Sequence, residues 1–326
     1  THESSGNSAG FGEMASAAAQ ITVPEEVKLK DVKDFKIIGT SRKNVDGPKI
    51  VTGQPLYGLD YDREGMLVAM IAHPPAFGLK LKSVDDSVAK TMPGIIDVFA
   101  MKTYKDDYQW QWCDVNSYPD LVVVVGNSTW EVLNAKKALS MEWESIGSNN
   151  KNIPADLENS KDHMALMLDM QNKKAEVRRK DGNPEAVFKK AAKIIERTYS
   201  CPFLAHNCME PMNFFADVTE NKAEHAGPIQ TPEFMEKSVA ARLGMELEQV
   251  DIQMTRMGGG FGRRLYGHFL VEAAAISQKV KAPVKLIYTR EDDMTTGIYR
   301  PAYLATYRAA LDENNELLAF HVNAGG

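Results

Sequence analysis

The residues with the greatest capacity for chemistry lie between Met257 and Arg264, in the run Met-Gly-Gly-Gly-Phe-Gly-Arg-Arg. Glycine reaches backbone angles closed to other residues and lets a ligand approach bare N–H groups. Gly258, Gly259, Gly260 and Gly262, with Phe261 among them, therefore predict a loop that offers backbone donors; Arg263 and Arg264 would add full positive charge. An alternating apolar segment before the run (Val250, Ile252, Met254) predicts a strand, and an amphipathic segment after it (Phe269 to Val280) predicts a helix. A loop at that junction would gain the partial positive charge of a helix N-terminus. The combination reads as a seat for an anionic group, most simply a phosphate-bearing cofactor. A plain turn followed by two solvated arginines stays open on these residues alone. Two common nucleotide motifs fail by position: a dinucleotide fingerprint begun at Gly258 requires glycine where Arg263 stands, and a Walker loop requires Gly-Lys-Ser/Thr where Arg263, Arg264 and Leu265 stand.

A second cluster, His206, Cys208 and Glu210, has the spacing of metal ligands, but one short loop without a second ligand group is a weak zinc signal. Glu210, between Met209 and Met212, is expected half-buried and paired. Asp85 and Asp86 read as a surface helix-capping pair rather than acid/base chemistry. Three cysteines, Cys113, Cys201 and Cys208, form no C-x-x-C pair and cannot supply four ligands to an iron–sulfur cluster. Cys201 and Cys208 could bridge, though two buried thiols are expected. No compartment follows from them.

The elements that must position these residues fall into an α+β pattern. The chain has 326 residues, 44% of them hydrophobic and 25% charged, enough for two or three domains. A net charge of -6 gives no general pull towards nucleic acid, and no apolar run approaches the ~18 residues of a membrane span. Residues 1–45 read as an arm from a preceding region, with a short helix at 11–19. From 46 to 145 the pattern is a compact α+β unit: strands at 65–71, 79–84, 95–101, 121–125 and 141–144, a short helix at 85–91, an aromatic and acidic insertion at 102–118, and a helix capped by Ser128 and Glu131. The polar stretch 145–153 reads as a linker. Beyond it come helices at 154–172 and from Pro184, a strand at 193–202, and a strand at 223–230 that ends in Gln230. Next is a helix with Thr231 as cap and Pro232 in its first turn, closed by Gly244. Strands at 283–288, 303–311 and 317–322 follow, with Arg290 to Asp293 as a charged turn. The chain opens without an initiator methionine and closes on Asn-Ala-Gly-Gly after a strand-like run, so both ends are expected to be cuts through a longer protein.

The order of motifs is more specific than any one of them. AHNCMEP, a strand ending in Gln230, MGGGFG, TREDD and YRPA together resemble the molybdenum-binding subunits of the xanthine oxidase family. GGGFGRR, MEPMN and YRPA look most like the isoquinoline 1-oxidoreductase beta-subunit branch. VTGQPLYGLDYDREGMLVAMIAHPP followed by MPGIIDVF is similar to that family's α/β-hammerhead domain. The resemblance implies a hammerhead domain at 46–145 followed by the first part of a molybdenum-cofactor-binding α+β domain at 154–326. It implies a molybdopterin cofactor, typically the cytosine dinucleotide in bacteria, and hydroxylation of a carbon beside a ring nitrogen or of an aldehyde carbon, with oxygen from water. The substrate is then a small heterocycle or aldehyde, and electrons leave through iron–sulfur clusters on a small partner subunit. The branch leans towards the bacterial periplasm over the cytoplasm.

By position, Gln230 matches the glutamine that donates to a molybdenum oxo group. Phe261 and Gly262 match the loop against the metal centre, and Arg300 matches an arginine that steadies negative charge near substrate. Arg263 and Arg264 are divided between cofactor phosphates and domain contacts. The Gly-Lys-Glu that follows GGGFG in xanthine-oxidising members is absent here, which argues against xanthine. A Trp found four residues before the glutamine in the isoquinoline branch is Ala226 here, and Ile229 replaces a usual Thr. The family's catalytic glutamate is expected beyond Gly326, which would leave these 326 residues inactive alone. An inactive paralogue or a non-catalytic cofactor-binding module is the alternative.

Overall fold

Continuous apolar runs become the centre of a sheet. Leu67–Ala72 (β1) and Leu121–Gly126 (β4) are apolar at nearly every position and buried along their length, as strands covered on both faces must be. In a computed structural model the structure describes residues 1–115, 118–146 and 159–326. Two units are present, Thr1–Gln54 and Pro55–Gly326. The first is mostly irregular chain with helices α1 (Phe11–Ala18) and α2 (Gly47–Val51). The second holds, besides β1 and β4, β2 (Leu79–Asp85), α3 (Ser87–Lys90), β3 (Ile95–Met101), α4 (Thr129–Lys137), β5 (Ser140–Ser145), α5 (Ser160–Gln171), α6 (Pro184–Phe188) and β6 (Lys193–Cys201). It continues through β7 (Asn213–Val218), β8 (Ala223–Gly227), α7 (Pro232–Leu243), β9 (Val250–Met254), α8 (His268–Val280), β10 (Val284–Ile287), α9 (Arg290–Thr295), β11 (Tyr303–Leu311) and β12 (Leu317–Gly325). The fold is α+β.

Seven strands form the main sheet in the order β3-β4-β1-β10-β7-β8-β9. The period-two alternation of β1 and β4 divides two cores. Ala69, Ile71, Val123 and Val125 face the larger one with Phe214, Phe269, Leu270 and Ile276; Val68, Met70, Val122 and Val124 face the smaller one with Val132 and Ala135 of α4. β1 pairs parallel with β10, Leu67 opposite Val284. Strands from either side of residues 147–158 therefore share one sheet. Of the expected linker, residues 147–153 lie outside the described residues, as do residues 154–158 of the helix expected from 154. The strands β12-β11-β6 and β2-β5 form two smaller sheets.

Three local expectations are corrected. Arg290 to Asp293 is not a turn but the start of α9: Thr289 caps it, its hydroxyl accepting from Asp292 N while the Asp292 carboxylate accepts from Thr289 N at 2.9 Å. The strand before Gln230 stops at Gly227, because Pro228 has no N–H to continue the ladder. Helix α8 begins at His268, and a single 3-10 turn, Arg263–Leu265, separates it from the glycine loop. The loop therefore does not sit on the N-terminus of a long helix.

Candidate active site

The loop's architecture begins with Glu210. Its carboxylate is buried and takes four donors: Leu59 N at 3.1 Å and Asn213 Nδ2 at 3.0 Å on one oxygen, Gly258 N at 2.7 Å and Arg264 Nη2 at 3.4 Å on the other. It is more deeply buried than expected, and it is paired as expected. Arg264 is fully buried and also donates to Gly259 O at 2.8 Å and Glu210 O at 2.7 Å. Burial lowers its pKa first, against the pull of Glu210. Glu210 and Arg264 thus hold both ends of Gly258–Gly259 from beneath. Arg263 is buried too; it turns towards His268, with Nη2 3.4 Å from His268 Nε2, and its guanidinium lies 5.9 Å from the Phe269 ring centre. Neither arginine is solvated, and neither presents its charge at the surface. The expectation of two solvated arginines is corrected, because Arg264 is engaged by carbonyls and a carboxylate and Arg263 by rings in the interior.

What the loop presents outward is backbone. Gly259, Phe261 and Gly262 have positive φ (103°, 53° and 95°). Among the described residues nothing accepts the N–H of Gly259, Gly260 or Phe261. Consecutive open amides of this kind form a concavity for an anion or a polarised oxygen. Phe261 projects its ring into solvent, 66% exposed. Gln230 completes the arrangement. Its backbone N donates to Arg264 O at 3.0 Å and its Oε1 accepts from Gly262 N at 3.2 Å. A Cβ on Gly260 would lie 2.7 Å from Gln230 Oε1, so the glutamine fills the space a side chain would need. With Oε1 engaged, its NH2 group remains a donor. Thr231, expected to cap α7, instead gives its hydroxyl to Leu265 O at 2.7 Å, fastening the helix to the loop's exit.

Arg300 joins from the far end of the chain. Its backbone bridges Leu204, Arg300 N to Leu204 O at 2.8 Å, which sets it beside the 204–210 segment. Its side chain is exposed and makes no hydrogen bond among the described residues. His206 lies between the groups: its ring is against Gly262, and burial first, then Arg263 and Arg300, lower its pKa. Both causes favour the neutral imidazole. Gln230, Gly258 to Gly262, His206 and Arg300 are therefore brought together, while Arg263 lies behind them.

The remaining candidates are structural. Cys208 is buried and gives its thiol to Gly260 O at 3.5 Å, and Glu210 is committed to the loop. Among the described residues no three metal-ligating side chains form a group. Cys201 is free and exposed, which corrects the expectation of two buried thiols, since β6 turns it outward at the sheet's rim. Asp85 accepts from Ser87 N at 3.0 Å at the start of α3. Two supports were missed: Leu59, whose N–H reaches Glu210 from the segment before β1, and Arg290, which donates to Asn207 Oδ1 at 3.2 Å and Met209 O at 2.8 Å. Arg290 links TREDD to AHNCMEP, so the order of those motifs has a physical basis that separation in sequence conceals.

With this geometry in place, residues 168–325 match the molybdopterin cofactor-binding domain family. Among curated proteins the chain is 29% identical to a membrane-bound aldehyde dehydrogenase named for pyrroloquinoline quinone, from Gluconacetobacter polyoxogenes, over 98% of this chain and 40% of that one. It is 26% identical to the isoquinoline 1-oxidoreductase subunit beta of Brevundimonas diminuta, over 93% of this chain and 38% of that one. The fold is shared with quinoline 2-oxidoreductase from Pseudomonas putida 86, at a TM-score of 0.61 and 18% identity, over 88% of this chain and 39% of that one. Fold, matched domain and relatives together make the chain similar to molybdopterin-binding subunits of the xanthine oxidase family. The chain is a relative of that family's molybdenum-binding subunits, the isoquinoline 1-oxidoreductase beta subunit among them, and spans about two fifths of the length of the curated relatives it matches. No helix among the described residues is long and apolar enough to cross a membrane.

Proposed function

We propose that the chain forms part of a molybdenum hydroxylase that oxidises N-heteroaromatic rings or aldehydes with oxygen from water. The observation that carries this reading is the Gln230–Gly262 hydrogen bond across Gly260, with the open amides of Gly259, Gly260 and Phe261 beside it. These groups fit the oxygen-rich face of a molybdopterin centre: they are donors, they are preorganised, and no side chain stands among them. The cytosine dinucleotide form is the one we assign. When bound, it supplies a two-electron oxidation centre.

The chain's own residues bind and orient. Gln230 would hold the bound group through its free NH2, and the open loop amides would add further donors. Arg300 steadies negative charge that develops on the substrate, a role its unpaired guanidinium suits. His206, whose neutral form burial and the nearby arginines favour, lies between Arg300 and the loop. Arg263 acts from behind, packing the loop's exit. A small partner subunit would hold the iron–sulfur clusters that take up the electrons. In this reading residues 46–145 are the hammerhead domain, residues 154–326 belong to the cofactor-binding domain, and residues 1–45 are an arm from a preceding region.

The test is the holoenzyme expressed with its small subunit. It is expected to carry molybdenum and to place 18O from labelled water in the product of isoquinoline or an aldehyde. Gln230→Ala should keep the fold and lower turnover by about five- to hundredfold. Unlabelled product, or turnover unchanged in Gln230→Ala at full cofactor occupancy, refutes the assignment.

A further inference from the structure

Helix α8 places His268 and Glu272 one turn apart on one face, and both are buried. His73 after β1, Tyr288 after β10 and Thr296 after α9 close on that face. These five stand among the residues that line a cavity of about 10 Å3, the room that about one water needs. Its wall is mostly polar. Tyr288 Oη donates to Glu272 Oε2 at 2.5 Å, and Thr296 gives its hydroxyl to Asp292 O.

The partners of the two imidazoles fix where their hydrogens sit. His268 Nε2 lies 3.4 Å from Arg263 Nη2. A guanidinium only donates, so Nε2 carries the lone pair and Nδ1 the hydrogen. Burial first, then Arg263 and His73, hold the pKa of His268 well below its ordinary value, in keeping with a single N–H. His268 Nδ1 is buried and has no partner among the described residues. His73 is the converse. Its Nδ1 lies 3.3 Å from Asp292 Oδ1, and that carboxylate, paired with Lys136, only accepts. Nδ1 therefore donates. Burial disfavours a second proton on the ring, which leaves Nε2 an acceptor. The residues round the cavity thus bring one unmatched N–H, one lone pair and a carboxyl group. An anion only accepts and would meet the lone pair of His73. A cation would meet the N–H of His268, with the charge of Arg263 behind it. Water both donates and accepts, and suits all three groups.

We propose that this cavity is a binding site for a single resident water, which accepts from His268 Nδ1–H, donates to His73 Nε2 and Glu272, and by fixing the His268 tautomer makes His268 a positioning residue for Arg263. The consequence reaches the glycine loop. Arg263 N donates to Gly260 O at 2.8 Å, and its guanidinium lies so close to Gly297 that a Cβ there would be 2.8 Å from Nη2. Gly297 stands three residues before Arg300. The water is therefore the far end of a brace that runs through His268 and Arg263 to the loop and to the segment bearing Arg300. It holds whatever reaction the site performs.

Two measurements on the parent protein need no variant. A high-resolution crystal structure should show one ordered water within hydrogen-bond reach of His268 Nδ1, and a bromide soak should leave it in place. A dry cavity, or bromide in it, overturns the proposal. Long-range 1H–15N spectra should show His268 as the neutral Nδ1–H tautomer; an Nε2–H or doubly protonated ring overturns it. Two variants then separate positioning from packing. The amide oxygen of His268→Gln can take the place of Nε2 and accept from Arg263, whereas His268→Phe keeps only the bulk. The slowly exchanging guanidinium N–H signals of Arg263 should persist in His268→Gln and be lost in His268→Phe, with circular dichroism to show that both are folded. Equal behaviour of the two variants refutes the positioning role.

Discussion

Replacing Glu210 should destabilise the protein more than any change to the loop it supports. Its two oxygens are not equivalent: one serves Leu59 N and Asn213 Nδ2, the other Gly258 N and Arg264 Nη2. Glu210→Ala removes all four acceptor contacts and leaves the fully buried Arg264 without a carboxylate. Breaking a buried pair from one side costs about 3–5 kcal/mol. Glu210→Gln is the sharper test, because shape is kept. Its single oxygen can serve one pair of donors; its NH2 then faces the other pair, donor against donor. Two charge-assisted hydrogen bonds are lost at about 1.5–3 kcal/mol each, so Glu210→Gln should cost about 3 kcal/mol or more and nearly match alanine. Urea unfolding read at constant m-value gives the difference. An ordinary surface substitution stays within about 0.5 kcal/mol. If Glu210→Gln unfolds within about 1 kcal/mol of the parent, the carboxylate is not the anchor argued here.

Gly258→Ala should destabilise the chain, since its Cβ would meet the Glu210 stem, whereas Gly260→Ala should cost under about 1 kcal/mol while displacing Gln230 and lowering molybdenum content in the holoenzyme; equal melting of the two variants contradicts this. Glu272 is buried and burial raises its pKa to about 8, against a hydrogen bond from Tyr288. The folded state thus keeps a proton that the unfolded chain releases from about pH 4.3, and Glu272's contribution to stability falls as pH rises from there to about 8. Glu272→Gln should flatten that limb and gain on the order of 3–5 kcal/mol at its upper end; parallel pH–stability curves for parent and variant refute it. His225 is buried in β8 and burial lowers its pKa to about 4, so stability should fall as pH drops from about 6.5 towards that value. A stability curve flat across that window excludes a neutral core histidine.

The strands were legible because burial leaves its period in the residues: β1, β4 and β11 follow their apolar patterns closely. Pairing was not legible. Nothing local says that Leu67 lies opposite Val284, because a parallel contact across more than two hundred residues is set by the whole sheet. The glycine loop was legible as a presenter of backbone. The fate of its arginines was not, since a paired arginine looks the same in sequence whether it meets solvent, phosphate or a buried carboxylate. Glu210 offered a partial signal, an acid between methionines, but of its partners only Asn213 is near in sequence; Leu59 comes from before β1, and Gly258 and Arg264 from the glycine loop.

Glycines 258 to 262 illustrate why motif and mechanism are different statements. Gly258 is required by packing, because the Glu210 stem occupies the place of its side chain. Gly259 and Gly262 are required by conformation, at φ 103° and 95°. Gly260 alone is open to a side chain on both counts, except that Gln230 stands 2.7 Å from where a Cβ would be, and Gln230 is exposed and able to swing. Stability therefore has little reason to hold glycine at 260. A ligand against that face has a strong one, and the single glycine whose replacement the fold should tolerate is the one at which cofactor loading reports most directly on the site.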